Sequence, residues 1–358
     1  MNSGHESPCS TAGASVERVK MTDHSFGRRR AFTLVELLVV IAVIALLIGV
    51  LLPALGSARA AARQAQGASL QRQMLIGMAT YTAENNDRIP GLNTTGRRLE
   101  QQQGGAEAQR LDRSPELPVQ NFDWMTPSLN GEGLSSDRAQ RFIELLNDFA
   151  DPSQREQIGT DRVENATQRF NEVLNERGTV PAPSFFMPTS WQYAGVEVPG
   201  ANTPGSLNPN TFGQLTQMAN LVELPQSWNN RTIAIGSGSE KVAIADGFVD
   251  LSDANYRVDV GIWVAPAMQR YGAFLAEPPI LQNSINYGNF EASGGLSDRL
   301  AYRHSGRINA GFWDGHVETL DREQVQNPAL WYPTGSIFRG NGATEVSRQY
   351  YDAGDAIN

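Results

Sequence analysis

The sequence predicts an α+β protein: a long N-terminal helix, first transmembrane and then amphipathic, packed on a small antiparallel β-sheet, with a helical and irregular insertion. Three observations predict it. The 21-residue hydrophobic run Phe32 to Leu52 carries a single charge, Glu36. Small and apolar residues then recur at helical spacing as far as Glu84. Short β-branched runs with two Asp-Gly turns dominate residues 231–325.

Composition narrows the function. The chain has 358 residues, 40% of them hydrophobic, and a net charge of −9. Its length allows one or two domains. Mild acidity without a basic stripe argues against a nucleic-acid partner. The single cysteine, Cys9, lies in a proposed leader, residues 1–31. The remainder then has neither a disulfide framework nor a thiol nucleophile, and it is long enough to fold without staples.

The leader is polar until Arg28-Arg29-Arg30. Three arginines before an apolar helix keep that end cytoplasmic and direct the bulk of the chain outward. Residues 32–52 are read as the transmembrane helix, because 21 residues at helical rise cover about 30 Å, enough to span a bilayer. A plain signal peptide, cut near Ala54-Leu55-Gly56 or Ser57-Ala58, would have a shorter apolar region. A twin-arginine export signal matches Arg29-Arg30-Ala31-Phe32 but leaves Glu36 out of place.

The segment Arg30-Ala31-Phe32-Thr33-Leu34-Val35-Glu36 resembles the prepilin-type cleavage and methylation motif of type IV pilins and type II secretion pseudopilins. The resemblance covers roughly the first helix. It implies cleavage between Ala31 and Phe32 by a prepilin peptidase, N-methylation of Phe32, and an inner-membrane protein with its C-terminal domain extracytoplasmic. That family usually has glycine before the cut, where this chain has Ala31, which is also small.

A carboxylate in hydrocarbon costs at least ~2.5 kcal/mol and marks a functional site. Glu36 is one helical turn from the new terminus at Phe32. It is placed to neutralise that terminus or, as the resemblance implies, the terminus of a neighbouring pilin-like subunit during assembly. The bland alternative is a carboxylate snorkelling to the membrane edge.

Residues 53–90 continue the helix outside the membrane. Pro53 removes a backbone hydrogen bond and kinks it; pilin-like helices commonly carry a proline at this place. Leu55, Ala58, Ala62, Ala65, Leu70, Met74, Met78 and Tyr81 form the packing face, with Arg59, Arg63, Gln66, Arg72 and Gln73 opposite. Asn85-Asn86-Asp87 and Pro90-Gly91 stop it, giving a helix about 80 Å long from Phe32.

Residues 91–230 form the insertion. A helix capped by Ser135 or Ser136 carries Phe142, Ile143, Leu145, Leu146 and Phe149 and stops before Pro152. A second carries Val163, Phe170, Val173 and Leu174 and ends at Gly178. Residues 179–230, dense in Pro, Asn and Gly, read as irregular.

In the sheet region, residues 231–325, strands are expected at Thr232–Ile235, Val242–Ala245 and Tyr256–Val264. Asp246-Gly247 and Asp314-Gly315 both read as tight hairpin turns, the second with Trp313 facing His316. His304, nine residues and Asp314-Gly315 resemble the H-X9-DG motif of a large family of uncharacterised pilin-like proteins. Residues 326–358 are read as a C-terminal tail.

Metal and enzyme readings are weaker. His304, His316 and Asp314 have no standard zinc spacing, and a turn near Gly306 ordered by His304 explains them as well. Asp246, Asp250 and Asp253 are calcium candidates without EF-hand spacing; a solvated acidic loop is the simpler reading. No cofactor is expected. No nucleophile elbow, P-loop or zinc-protease helix is present, so an enzyme is not expected. The sequence therefore reads as a pilin-like structural subunit, major or minor, of a pilus or secretion pseudopilus. A membrane-anchored extracytoplasmic binding protein that uses the leader only for delivery is the alternative.

Overall fold

The computed structural model describes residues 33–91, 119–120, 122–129, 133–154, 156–164, 166–192, 221–225, 227–248, 258–260, 274–282, 284, 286–288 and 300–358. They form an α+β fold with one long N-terminal apolar helix. Contacts divide the chain into two units, Met1–Leu55 and Gly56–Asn358.

Helix α1, Leu34–Glu84, runs through Pro53 without a break. Its first part, Leu34 to Leu55, exposes large aliphatic side chains turn after turn, and the helix is long and apolar enough to cross a membrane. Within the second unit, α1 buries Gly67, Gln71, Met74, Leu75, Met78 and Thr82. Met74 and Met78 lie on the expected face, whereas Ala58, Ala62 and Ala65 are exposed. The stripe is rotated because its contacts with the sheet use residues outside an apolar count. Gly67 admits a close neighbour, and Gln71 supplies hydrogen bonds.

The two expected helices form, the first with a different N-cap, and Val163 lies in a short strand rather than in the second. Helix α2, Arg138–Asp148, is capped by Asp137, whose side chain accepts from the amides of Ala139 and Gln140; Ser135 instead accepts from the Asp137 amide. Helix α3, Gln168–Arg177, is capped by Thr167 and closed by Gly178 at φ +76. Phe142 of α2 meets Phe170 of α3 at 5.5 Å between ring centroids.

Among the described residues the main sheet has five strands: β1 (Phe185–Pro188), β2 (Val242–Asp246), β3 (Leu275–Ala276), β4 (Ile308–Phe312) and β5 (Val317–Leu320). Their order is β5-β4-β2-β1-β3. All pairs are antiparallel except β1 with β3. Three two-stranded pairs flank it: Gln157–Gly159 with Thr179–Pro181, Val163–Glu164 with Val258–Asp259, and Val222–Glu223 with Ile337–Phe338.

Three strand expectations change. Residues 185–188 lie in the stretch read as irregular, yet form an inner strand whose four residues are all buried. Proline at its end is tolerated because the missing donor falls where pairing stops. Thr232–Ala234 is a 3-10 turn, not a strand. It has no ladder partner among the described residues; the Thr232 amide donates to Asp87 O just beyond α1, and Ile233 stays exposed. Its β-branched residues had no pleated surface to fit. Asp246-Gly247 is not a hairpin turn, since β2 pairs with β1 and β4 rather than with a strand just after it. Of Tyr256–Val264, only Val258–Val260 are described, and Val258–Asp259 is a strand. The final 33 residues are tied in rather than loose: Trp331, Tyr332, Phe338, Ala343 and Ile357 are buried.

Strands β2 and β4 are buried along their whole length. Leu75 of α1 packs over Gly311, where an added Cβ would approach Leu75 Cδ1 to 2.7 Å and Ile244 Cγ1 to 3.1 Å. Gly311→Ala therefore overpacks this junction and is expected to cost about 1–3 kcal/mol, read as a lower urea midpoint at unchanged m.

Candidate functional site

At the N-terminus, Thr33 and Glu36 form a capping box. Glu36 Oε2 accepts from the Thr33 amide at 2.8 Å and from its hydroxyl at 2.9 Å; the Glu36 amide donates to Thr33 Oγ1 at 3.2 Å. Glu36 is thus an exposed carboxylate in the first turn of an apolar helix, held by its own backbone. The expected cleavage residues Ala31 and Phe32 lie outside the described residues, as do Asp250 and Asp253.

The ends of the His304–Asp314-Gly315 segment do different things. Asp314 and Gly315 shape the β4–β5 hairpin, as expected. The Gly315 amide donates to Phe312 O, the Phe312 amide donates to His316 O, and Gly315 takes φ +94. This is a type I turn followed by a glycine bulge. Asp314 Oδ1 accepts from the His316 amide at 3.1 Å and lies 2.6 Å from His316 Nδ1. The facing pair across the turn is Phe312 and His316, stacked at 4.2 Å, rather than Trp313 and His316. Trp313 turns edge-on to Trp191 at 5.8 Å. The left-handed glycine swings His316 onto the strand residue that closes the loop.

His304 does not join His316 and Asp314. Its backbone closes the turn through Ser305 and Gly306, bonding Arg307 in both directions. Its imidazole goes inward, 2% exposed, with Nε2 at 3.2 Å from Asp151 Oδ2 and 3.1 Å from Asp246 Oδ2. Asp151 and Asp246 are fully buried. Asp246 is therefore no part of a solvated acidic loop. A buried carboxylate needs partners, and it has them: Oδ1 accepts from Gln71 Nε2 at 2.9 Å and Oδ2 from the Asn309 amide at 2.7 Å.

Each member is positioned by a different element. Asp151 follows α2; its Oδ1 accepts from the Ser153 amide at 2.7 Å, and its own amide donates to Ser184 Oγ at 2.7 Å. Asp246 ends β2, and His304 precedes β4. Gly67 of α1 leaves the space that Asp151 Oδ2 fills, since a Cβ there would overlap that oxygen. Arg303 Nη2 donates to Ser184 O and Gly247 O, joining the β1 and β2 ends.

Electrostatics follow from the geometry. Burial works against a charged His304, but the carboxylates of Asp151 and Asp246 outweigh it and raise its pKa to about 9. Burial likewise works against a charged Asp151, and His304 and Arg303 reverse this, holding it below the usual carboxylate range. The cluster is an imidazolium held between two aspartates. Beside it lies a cavity of about 430 Å³ lined by Ser57, Arg63, Gln64, Ser153, Arg303 and His304, among others.

Sequence reasoning singled out His304 and Asp246 but for separate roles, and it missed Asp151, Gln71 and Gly67. Asp151 was visible only as a residue after a helix and before Pro152. Gln71 carried one signal, a polar residue within the apolar periodicity of α1.

The family described as the prokaryotic N-terminal methylation motif matches residues 27–52. The match spans the predicted cleavage point, Glu36 and the apolar part of α1. Neither the curated proteins nor the solved structures contain a significant match to the chain.

Proposed function

We propose that this chain is a pilin-like structural subunit rather than an enzyme. A prepilin peptidase cuts it between Ala31 and Phe32 and N-methylates Phe32, and the N-terminal helix then assembles with other pilin-like subunits into a pilus or secretion pseudopilus. Before assembly the subunit waits in the inner membrane, with its C-terminal unit extracytoplasmic. One observation carries the reading: the methylation motif at residues 27–52 coincides with a helix whose aliphatic side chains are exposed from Leu34 to Leu55 and whose first turn holds Glu36. The H-X9-DG resemblance of His304 and Asp314-Gly315 goes with the same reading.

A second reading keeps the leader for delivery only and makes the second unit a binding protein. The polar cavity beside His304 favours it.

The test is the terminal residue of the membrane-extracted mature protein, read by intact mass and terminal-peptide mass spectrometry. N-methylated Phe32 is expected. A terminus near residue 58, or at Met1, overturns the proposal.

A further inference from the structure

We propose that Asp151, Asp246 and His304 form a binding site for one divalent first-row transition-metal ion, of which Zn2+ is the probe.

The spacing of the donor atoms is the first reason. His304 Nε2 lies 3.2 and 3.1 Å from the two carboxylate oxygens, and the three donor atoms all lie within 4.8 Å of one another. An ion bound at ~2.1 Å separates its ligand atoms by roughly 3.4 Å in tetrahedral and roughly 3.0 Å in octahedral geometry. The two histidine–carboxylate separations fall between these.

Unused bonding capacity is the second. His304 Nε2 makes no directed hydrogen bond to either oxygen, and Asp151 Oδ2 accepts none among the described residues. The groups are paired by charge, but the one N–H at Nε2 cannot serve both carboxylate oxygens, so part of their bonding capacity is left over. Gln71, fully buried, brings its amide to the same place through Asp246, and its Oε1 also accepts no hydrogen bond among the described residues.

The third reason is that the surrounding groups already aim the ligands. The Ser153 amide holds Asp151 Oδ1 and leaves Oδ2 forward; Gln71 and the Asn309 amide hold Asp246. Outer contacts of this kind orient metal ligands. One imidazole and two carboxylates suit a first-row divalent ion better than calcium, which takes oxygen ligands. The two carboxylate charges balance the ion. The neighbouring cavity, which His304 lines, gives an entry path. This set differs from the His304–His316–Asp314 and Asp246–Asp250–Asp253 groupings read from sequence.

The test is a Zn2+ titration of the full chain in detergent after EDTA dialysis, by calorimetry with metal analysis. Wild type is expected to hold an ion that Asp151→Asn and His304→Gln each bind about 100-fold more weakly or lose, because even outer-shell changes cost 10–100-fold. Comparison with the variants discounts His5, Cys9 and His24, which also offer ligands. Circular dichroism checks that the variants fold. Should they not, X-ray absorption of the Zn2+ form of wild type decides. A shell of one imidazole with oxygens supports the site. A sulfur-containing shell, no bound ion, or retention by either folded variant overturns it and leaves an ion triad with no metal role.

Discussion

In the metal-free protein, His304→Ala is expected to destabilise the second unit by about 3–5 kcal/mol, the cost of stripping the partner from buried charges. Asp151 and Asp246 are both fully buried and face the same imidazole, so alanine leaves two carboxylates together in a space of low polarity. The histidine's proton affinity gives a similar figure. A folded pKa of about 9 against the ordinary 6.5 corresponds to about 3 kcal/mol. Because the folded pKa is raised, this stabilisation is fully present below pH ~6.5 and is lost as pH rises through about 9. The urea midpoint of wild type should therefore fall across that window, while that of His304→Ala stays flat. Asp151, held below its usual range, adds an acid limb, since its contribution disappears as pH falls through its folded pKa. A wild-type midpoint level from pH 6.5 to 9.5 would show that the imidazolium is not part of the stability.

Glu36→Leu is expected to abolish assembly while leaving membrane insertion intact. Leucine is more favourable than a carboxylate in hydrocarbon, so insertion should improve. What is lost is the one negative charge in the exposed apolar part of α1. The capping box complicates a single substitution, because Glu36 also holds the Thr33 amide and hydroxyl. Glutamine preserves a capping box and removes only the charge, so Glu36→Gln separates the roles. If the charge pairs with a subunit's terminus, Glu36→Gln fails to assemble as fully as Glu36→Leu, read as the sheared-filament fraction and as cross-linked oligomers in membranes. If Gln assembles normally and Leu does not, the helix cap matters and the charge does not. If both assemble, Glu36 has no assembly role, and the anchored binding protein becomes the better reading.

Much of the fold was legible where one local signal sufficed. The apolar start of α1 from Leu34, the stop after Glu84, the Gly178 end of α3, strand Val242–Ala245 and the Asp314-Gly315 hairpin each rest on neighbours a few residues apart. Periodicity, caps and turn glycines report such contacts directly. The candidate site was legible only in fragments, as His304 and Asp246. Nothing near either residue says that Asp151, Gln71 and Gly67 complete the cluster.

The sequence by itself determined the membrane-length helix with its leader motif and single carboxylate, because helical apolarity and the motif are both carried by consecutive residues. It also determined the hairpin tip, because only glycine takes that turn angle without strain. The tertiary structure decided the rest. It made a strand of Phe185–Pro188 in a proline-rich stretch by giving it partners on both sides, and denied one to Thr232–Ala234 by giving it none. It also turned His304 away from its own hairpin and between two aspartates distant in sequence. Strand identity and buried charge pairing depend on what packs alongside, and that is a property of the folded chain rather than of any window along it.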